Sequence, residues 1–555
     1  MLEKLKKTLF SFDYILAGIL LAAFLIRSYG IYFDYPGGIN YIWDETGSLM
    51  QLVDIIQTKN LFASAVYHYP ALLTIAYLPG LALRSAQLML VNHLPSFSAL
   101  KDFVLINGLG NLYIIVRWYS IIFGTASVYL VYKIFGIFNK EKAAAYLAAI
   151  AYASSIVAVF LSHWGKAHSA LIFFLLLSLY FTLRFEAEKK TKYLYLSAFF
   201  AACSASVHYI GISAAIFPLF NLIFHYKELN YKIFLKTAAL GLAVIIFFYG
   251  VNYNGIRDMI ANVNDNYYAN TNYSGLVKVS LSERFAYVFS DSWAIEPFLT
   301  AIFFAAILFA GRTLWRDRYK RYFLLGLIFN YLLMVTVIVG PGNIRWLAVF
   351  MVLAYPLSLV TIYELLKQKL PTRISYIFCL LLILPSLAYG LKWDLVISRY
   401  TAVEAAAWLE HNTGRQEWIY SFYYNLYLPF TYRAALWNKE NNGLAYKKFE
   451  YIIANKERFI DQGYNLAYDH DQLRYQDLAG EETKYAVVAA DSLAELGRQA
   501  ELLAGYHQIS LAKSFSPFVK ETGLSASDIS NNPDNMMKIF QYSMAGPYIS
   551  IYKIK

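Results

Sequence analysis

The sequence predicts a mainly α membrane protein, a bundle of about eleven transmembrane helices followed by a C-terminal α/β or α+β domain. Three observations lead there. Of 555 residues, 58% are hydrophobic and only 15% are charged, whereas a soluble domain carries roughly 25% charged residues. Apolar runs recur between short polar connectors as far as Leu391. Beyond it the composition becomes mixed, so the chain divides into a membrane part, 1–391, and a C-terminal domain, 392–555.

The formal charge of +11 does not point to nucleic acid. The excess Lys and Arg sit in short connectors beside apolar runs, where they mark topology and face anionic lipid, and no nucleic-acid-binding motif appears. Cys203 and Cys379 lie inside apolar runs and say nothing about redox compartment.

The first run, Tyr14 to Phe33, follows Lys4, Lys6 and Lys7. It reads as an uncleaved span, because the stretch continues past Arg27 and no small-x-small cleavage site follows closely. Asp34 to Arg117 is one long external loop. Within it Leu49, Leu52, Val53 and Ile56 repeat at helical spacing, the pattern of an amphipathic helix in the membrane interface. Tyr69 to Leu83 holds Pro70, Pro79 and Gly80 within about 15 residues, too short and interrupted to cross, and reads as a juxtamembrane or re-entrant helix.

Spans follow at Trp118 to Tyr132, Ala143 to Leu161, Ser169 to Leu183, Tyr193 to Phe224, Thr237 to Val251, Phe298 to Ala310, Tyr322 to Val339, Trp346 to Tyr363 and Tyr376 to Leu391. The Tyr193 to Phe224 run is two short helices turning near His208 to Gly211. The connectors Lys140 to Lys142, Arg184 to Lys192, Lys227 to Lys236, Arg312 to Arg321 and Lys367 to Arg373 are Lys/Arg-rich and assigned to the cytoplasm. The N-terminus is then cytoplasmic. The connectors around His163 to His168, Asn252 to Glu296 and Gly340 to Arg345, and the C-terminal domain, are extracytoplasmic. In that domain Val403 to Leu409 and Ser492 to Ala504 read as helices, and Gln416 to Phe422, Tyr485 to Ala490 and Tyr548 to Ile554 as strands.

Asp44 and Glu45 are adjacent carboxylates just after the first span. Carboxylates near hydrocarbon are costly, which makes function their default reading; the alternative is that they cap the next helix. A second set is basic: Arg117, then His163, Lys166 and His168 in one outer turn, His208 in another, and Arg345 before the span starting at Trp346. The topology brings all of them to the face that carries Asp44. There Arg can fork onto two oxygens of a lipid phosphate and Lys can act as a point charge; taken singly, each reads as a cation snorkelling to headgroups. Asp469-His470-Asp471 reads as a polar loop, and the sequon Asn272-Tyr273-Ser274 as part of a solvated Asn/Tyr-rich loop.

Taken in order, these residues resemble a family of integral-membrane glycosyltransferases of the GT-C fold, the relatives of dolichyl-phosphate-mannose protein mannosyltransferases and of the bacterial aminoarabinose transferase that modifies lipid A. The likeness rests on Asp44-Glu45, His68-Tyr69-Pro70, Val116-Arg117-Trp118, Arg345-Trp346 and the Ala-rich helix Ala405 to Leu409. It departs from many relatives at His168, where they carry Asp, at His208, where they carry Lys, and at Ala71, where they carry a second Pro. The Trp-Trp-Asp motif of oligosaccharyltransferases is missing.

The resemblance implies transfer of one sugar from a polyprenyl-phosphate donor to a protein, lipid or glycan acceptor, with inversion, on the outer face of a prokaryotic cytoplasmic membrane. It makes Asp44 the general base, with Glu45 orienting the loop or binding the sugar. Arg117, Lys166, His208 and Arg345 neutralise the lipid phosphate, with His68, His163 and His168 in the same binding set, and neither cofactor nor metal is required. The alternative is a secondary transporter or flippase of lipid-linked sugars, whose usual paired halves are not seen in this sequence.

Overall fold

The structure, a computed structural model, describes residues 13–32, 59–60, 70–107, 110–139, 141–254, 256–257, 280–337, 344–423, 426, 428–442, 447–459, 463–468, 483–520 and 536–555. Asp44, Glu45, His68, the amphipathic stretch 49–56, the 272–274 sequon and the 469–471 triplet lie outside the described residues.

The helices that begin before Leu391 are, in chain order, α1 (Tyr14–Ser28), α2 (Leu72–Ala76), α3 (Leu78–Val91), α4 (Phe97–Asn107), α5 (Gly110–Phe138), α6 (Lys142–Ser154), α7 (Ile156–His163), α8 (His168–Glu188), α9 (Thr191–Val207), α10 (Ile216–Phe224), α11 (Tyr231–Val251), α12 (Leu281–Ile295), α13 (Pro297–Arg316), α14 (Arg318–Val337), α15 (Ile344–Lys367) and α16 (Thr372–Ile397). Among the described residues α5, α8, α11, α13, α15 and α16 are long and apolar enough to cross a bilayer. The pair α6 and α7 passes the same test of length and apolarity only when taken together, and is bent by 54° at its break. At 15 residues α1 is about 22 Å long, short of the ~30 Å hydrocarbon core. A 3₁₀ turn, Tyr209–Ala215, separates α9 from α10, at the place where the sequence predicts a turn.

Two compact units result. One comprises Met1–Tyr29, Asp44–Pro79 and Ile115–Leu391, the other Gly30–Trp43, Gly80–Ile114 and Lys392–Lys555. In the first, α8 and α9 pack closely because small polar residues line their interface. Ser197 lies 3.2 Å from Ser178 and 2.8 Å from Thr182, hydroxyl to hydroxyl, and such residues let helix backbones approach in an apolar medium.

The break between α6 and α7 is Ser155, whose extended backbone (φ −60°, ψ 123°) interrupts the helix. A broken helix strands carbonyls at one end and amides at the other, which is costly where water is excluded. Both sets are bonded. Arg27 of α1 donates to the Ala153 and Tyr152 carbonyls at 3.2 and 3.4 Å, and Glu296 accepts from the Ile156 amide at 2.5 Å.

The second unit carries a five-stranded mixed sheet, β1 (Trp418–Ser421), β2 (Asn465–Tyr468), β3 (Thr483–Ala490), β4 (Ile509–Phe515) and β5 (Tyr548–Ile554), in the order β2-β1-β3-β5-β4. Strand β1 runs parallel to β2 and β3, whereas β5 is antiparallel to β3 and β4. The predicted helices are Thr401–Asn412 (α17) and Leu493–Tyr506 (α18). The second starts at Ser492, whose hydroxyl accepts from the Glu495 amide at 3.2 Å and caps the helix. This helix–strand mixture agrees with the small α/β or α+β domain expected from the sequence.

Candidate functional site

Short connections make successive helices antiparallel, so the start of α5, the end of α7, the start of α8 and the end of α9 share one end of the first unit. The Ser120 hydroxyl, one turn beyond Arg117, lies 3.5 Å from the Lys166 carbonyl oxygen, which ties α5 to the α7–α8 turn. The His168 and His208 rings approach with centroids 5.2 Å apart, which ties that turn to the end of α9. Arg117, His163, Lys166, His168 and His208, read as separate outer-loop residues in the sequence, are thereby brought together. Arg345 stands in the first turn of α15. Lys367 at the far end of that helix is ion-paired with Glu141, just before α6, so Arg345 begins α15 at the end where α7 finishes.

None of these side chains with described surroundings is a loose surface cation. Arg117 is 1% exposed, His163 0%, Lys166 5%, His168 5% and His208 1%. The Lys166 ammonium lies 4.3 Å from the centre of the buried Trp164 ring, a cation–π contact that holds the charge without neutralising it. His208 Nδ1 accepts the Ile210 amide at 3.2 Å. An amide can only donate, so that nitrogen is unprotonated and the ring proton sits on Nε2.

His163 is engaged differently. Its ring nitrogens lie 3.0 Å from the Val159 carbonyl and 2.7 Å from the Tyr29 carbonyl, so the ring fastens the end of α7 to the end of α1. Arg27 and Arg117 both act electrostatically on this ring.

Arg27 is the residue that sequence reasoning passed over. It is fully buried, and the available signal was a lone cation inside an apolar run, an expensive placement that marks a structural or functional role. Three buried cations, Arg27, Arg117 and Lys166, stand at this end of the unit. Negative charge there, carboxylate or phosphate, is stabilised more than it would be in water.

No curated protein matches the sequence. Residues 103–249 match the family described as Dolichyl-phosphate-mannose-protein mannosyltransferase. Among solved structures, ArnT from Cupriavidus metallidurans in the apo state is similar at 10% identity and a TM-score of 0.47, over 90% of this chain and 95% of that one. The same protein bound to undecaprenyl phosphate gives 11%, 0.44, 90% and 96%. The Archaeoglobus fulgidus oligosaccharyltransferase in the apo form gives 12%, 0.43, 91% and 74%. The matched segment contains Arg117, His163, Lys166, His168 and His208. Over residues 103–249 this chain is therefore similar to the dolichyl-phosphate-mannose-protein mannosyltransferase family, among the GT-C-type glycosyltransferases that its sequence resembles.

Proposed function

We propose that the protein is an inverting glycosyltransferase that moves a single sugar from a polyprenyl-phosphate carrier to an acceptor on the extracytoplasmic face of a prokaryotic plasma membrane. The observation that carries this reading is the burial of Arg117 and Lys166 beside His168 and His208 at one end of the segment that matches the family. Such a cluster suits a lipid phosphate whose negative charge grows as the sugar departs.

Inversion takes one displacement. The acceptor oxygen bonds to the anomeric carbon as the bond from that carbon to the phosphate oxygen breaks, the electron pair leaves with the lipid phosphate, and the acceptor's proton goes to a base. Asp44 is that base, work worth typically 10²–10⁴ in rate, and Glu45 orients its loop or binds the sugar. Arg117, Lys166 and His208 stabilise the leaving phosphate, with Arg345, His168 and His68 in the same binding set. His163 acts by fixing the turn that carries Lys166. The N-terminus is cytoplasmic and the 392–555 domain extracytoplasmic. A weak base such as a lipid phosphate leaves without a protein acid, so the scheme calls for no metal or cofactor.

The test is sugar transfer from a polyprenyl-phosphate donor by the purified Asp44→Asn protein, checked for insertion and folding. Loss of transfer in a folded variant is the expected result. Undiminished turnover removes the mechanism, and movement of the lipid-linked sugar across the membrane without turnover favours a flippase.

A further inference from the structure

The opposite end of the same helices carries a second cationic feature. Lys142 opens α6 and Arg184 lies in the last turns of α8, whereas His163 and His168 stand at the other ends of the α6–α7 pair and α8. Between them lies a cavity of about 340 Å³, lined by Tyr132, Lys133, Asn139, Lys142, Tyr180 and Arg184, with Gly136 in its wall.

Two of its lining groups are donors held away from solvent with no acceptor among the described residues, Asn139 Nδ2 and Arg184 Nε. The Arg184 guanidinium is fixed so that Nε stays uncommitted. Its Nη1 donates to the Tyr180 hydroxyl at 3.0 Å and its Nη2 to the Tyr193 hydroxyl at 2.8 Å, and it pairs with Glu188. Glu188 also takes Lys190 at 2.9 Å, and Asp13 lies 3.4 Å from Lys142. Of the three lining cations, Lys142 meets Asp13 and Arg184 shares Glu188 with Lys190, whereas Lys133 has no carboxylate partner among the described residues, which leaves the lining positive. A buried unsatisfied donor is costly, and here two occur in a lining whose cations outnumber the carboxylates paired with them.

We infer that this cavity is an anion site that takes a phosphate group, with Asn139 Nδ2 and Arg184 Nε donating to its oxygens and Lys133 and Lys142 supplying charge. Arg and Lys bind phosphate by charge-assisted hydrogen bonds, and basic pockets between transmembrane helices hold anionic headgroups. The phosphate can belong to a membrane lipid or to a soluble molecule, and the same chemistry serves both. The site lies at the other end of the helices from the proposed transfer site, so it stands or falls independently of that function.

The experiment uses the full-length protein in phosphatidylcholine nanodiscs, with added phosphatidylglycerol in one arm and added inorganic phosphate in the other, reading Tm and, by native mass spectrometry, retained lipid. A Tm rise with either probe supports the site and names its source, lipid phosphate in the first arm and soluble phosphate in the second. Two variants make the assignment specific. Lys133→Gln with Asn139→Ala removes one charge and one donor and weakens the response about tenfold or more, at roughly one charge-assisted hydrogen bond per tenfold. Gly136→Met blocks the cavity while leaving every charge in place. A β-carbon at Gly136 meets nothing within 4 Å, so the side chain starts into open space, and the response should vanish. No Tm response to either probe, or an equal response in wild type and both variants, overturns the site.

Discussion

The Ser155 hydroxyl donates to the Glu296 carboxylate at 2.9 Å, at the point where α6 gives way to α7. With the Ile156 amide also bonded to Glu296, this one carboxylate closes the N-terminal end of the half-helix that leads to His163. Glu296→Ala leaves a buried hydroxyl and a buried amide without their acceptor and should lower stability by about 1–3 kcal/mol. Glu296→Gln keeps one oxygen to accept from the Ile156 amide and turns an N–H toward the Ser155 hydroxyl, which can accept, and should cost less. Thermal unfolding of the two purified variants checks the order; equal losses would show that the carboxylate charge, not its acceptor geometry, closes the break.

Gly211 sits three residues after His208 in the 3₁₀ turn, where a β-carbon would lie 2.0 Å from the Ser204 carbonyl oxygen and 2.3 Å from the Ser204 carbonyl carbon. Backbone cannot swing aside as a flexible side-chain tip can, so Gly211→Ala must move the turn. Overpacking of this kind costs typically about 1–3 kcal/mol. The shift also displaces His208 from His168, so transfer activity should fall with Tm. Full activity with a lowered Tm would separate His208 from the chemistry.

Much of this architecture is legible in the sequence, and the exceptions have physical reasons. Strand β5 alternates Tyr548, Ile549, Ser550, Ile551, Tyr552 along its length, and α17 and α18 show helical spacing. Strand β2 is only Asn465–Tyr468, too short for a period to show. Edge strand β4 spaces Ser510, Lys513 and Ser514 among its apolar residues, and edge strands tolerate such polarity as protection. The bend at Ser155 was hidden because Ser is a weak breaker, and the residues that sustain the break, Arg27 and Glu296, are more than a hundred positions away from it on opposite sides. At the candidate site connector charge drew attention to these residues but not to what their rings do: nothing local distinguishes His163, whose ring nitrogens face two carbonyls, from His208, whose Nδ1 accepts an amide.

Asn438 shows how the unreadable strand is held. Its amide donates to the Leu466 and Ala434 carbonyls at 2.7 Å each, and its oxygen accepts from the Tyr468 amide at 2.8 Å, so a side chain supplies ladder bonds along the outer edge of β2. The group is fully buried. Asn438→Ala should cost about 1–3 kcal/mol and raise hydrogen exchange at the Tyr468 amide before that of the central strand β3. Uniform exchange across the sheet would contradict the local role.

Asp13 gives a pH dependence with a definite sign. Burial acts to raise its carboxyl, but hydrogen bonds from the Tyr146 hydroxyl, the Leu16 amide, Tyr132 and Lys142 outweigh it and hold the group at about 2, against an ordinary 3.8. With its folded value depressed, the unfolded chain binds the proton first as pH falls. The stabilisation is therefore fully present above about pH 4 and is lost toward pH 2. Asp13→Asn should lower Tm near neutrality and flatten the Tm profile across that acid window. A profile as steep as wild type would assign the acid sensitivity to other groups.

Arg117→Lys tests the phosphate reading at the outer site. Both side chains carry one positive charge, but only the guanidinium presents a planar fork that can grip two oxygens, and Lys offers a hydrated point charge. If Arg117 serves only as a buried structural cation, Lys preserves part of its role and the loss appears in Tm, with the catalytic constants of the folded fraction unchanged. If it grips the departing lipid phosphate, the lost interaction strengthens as charge develops, so kcat falls with kcat/KM and KM changes little. One charge-assisted hydrogen bond of about 1.5–3 kcal/mol corresponds to roughly a ten- to hundredfold loss. Activity normalised to the folded fraction, measured with a polyprenyl-phosphate donor, distinguishes the two, and a rise in KM alone would limit Arg117 to holding the donor before reaction.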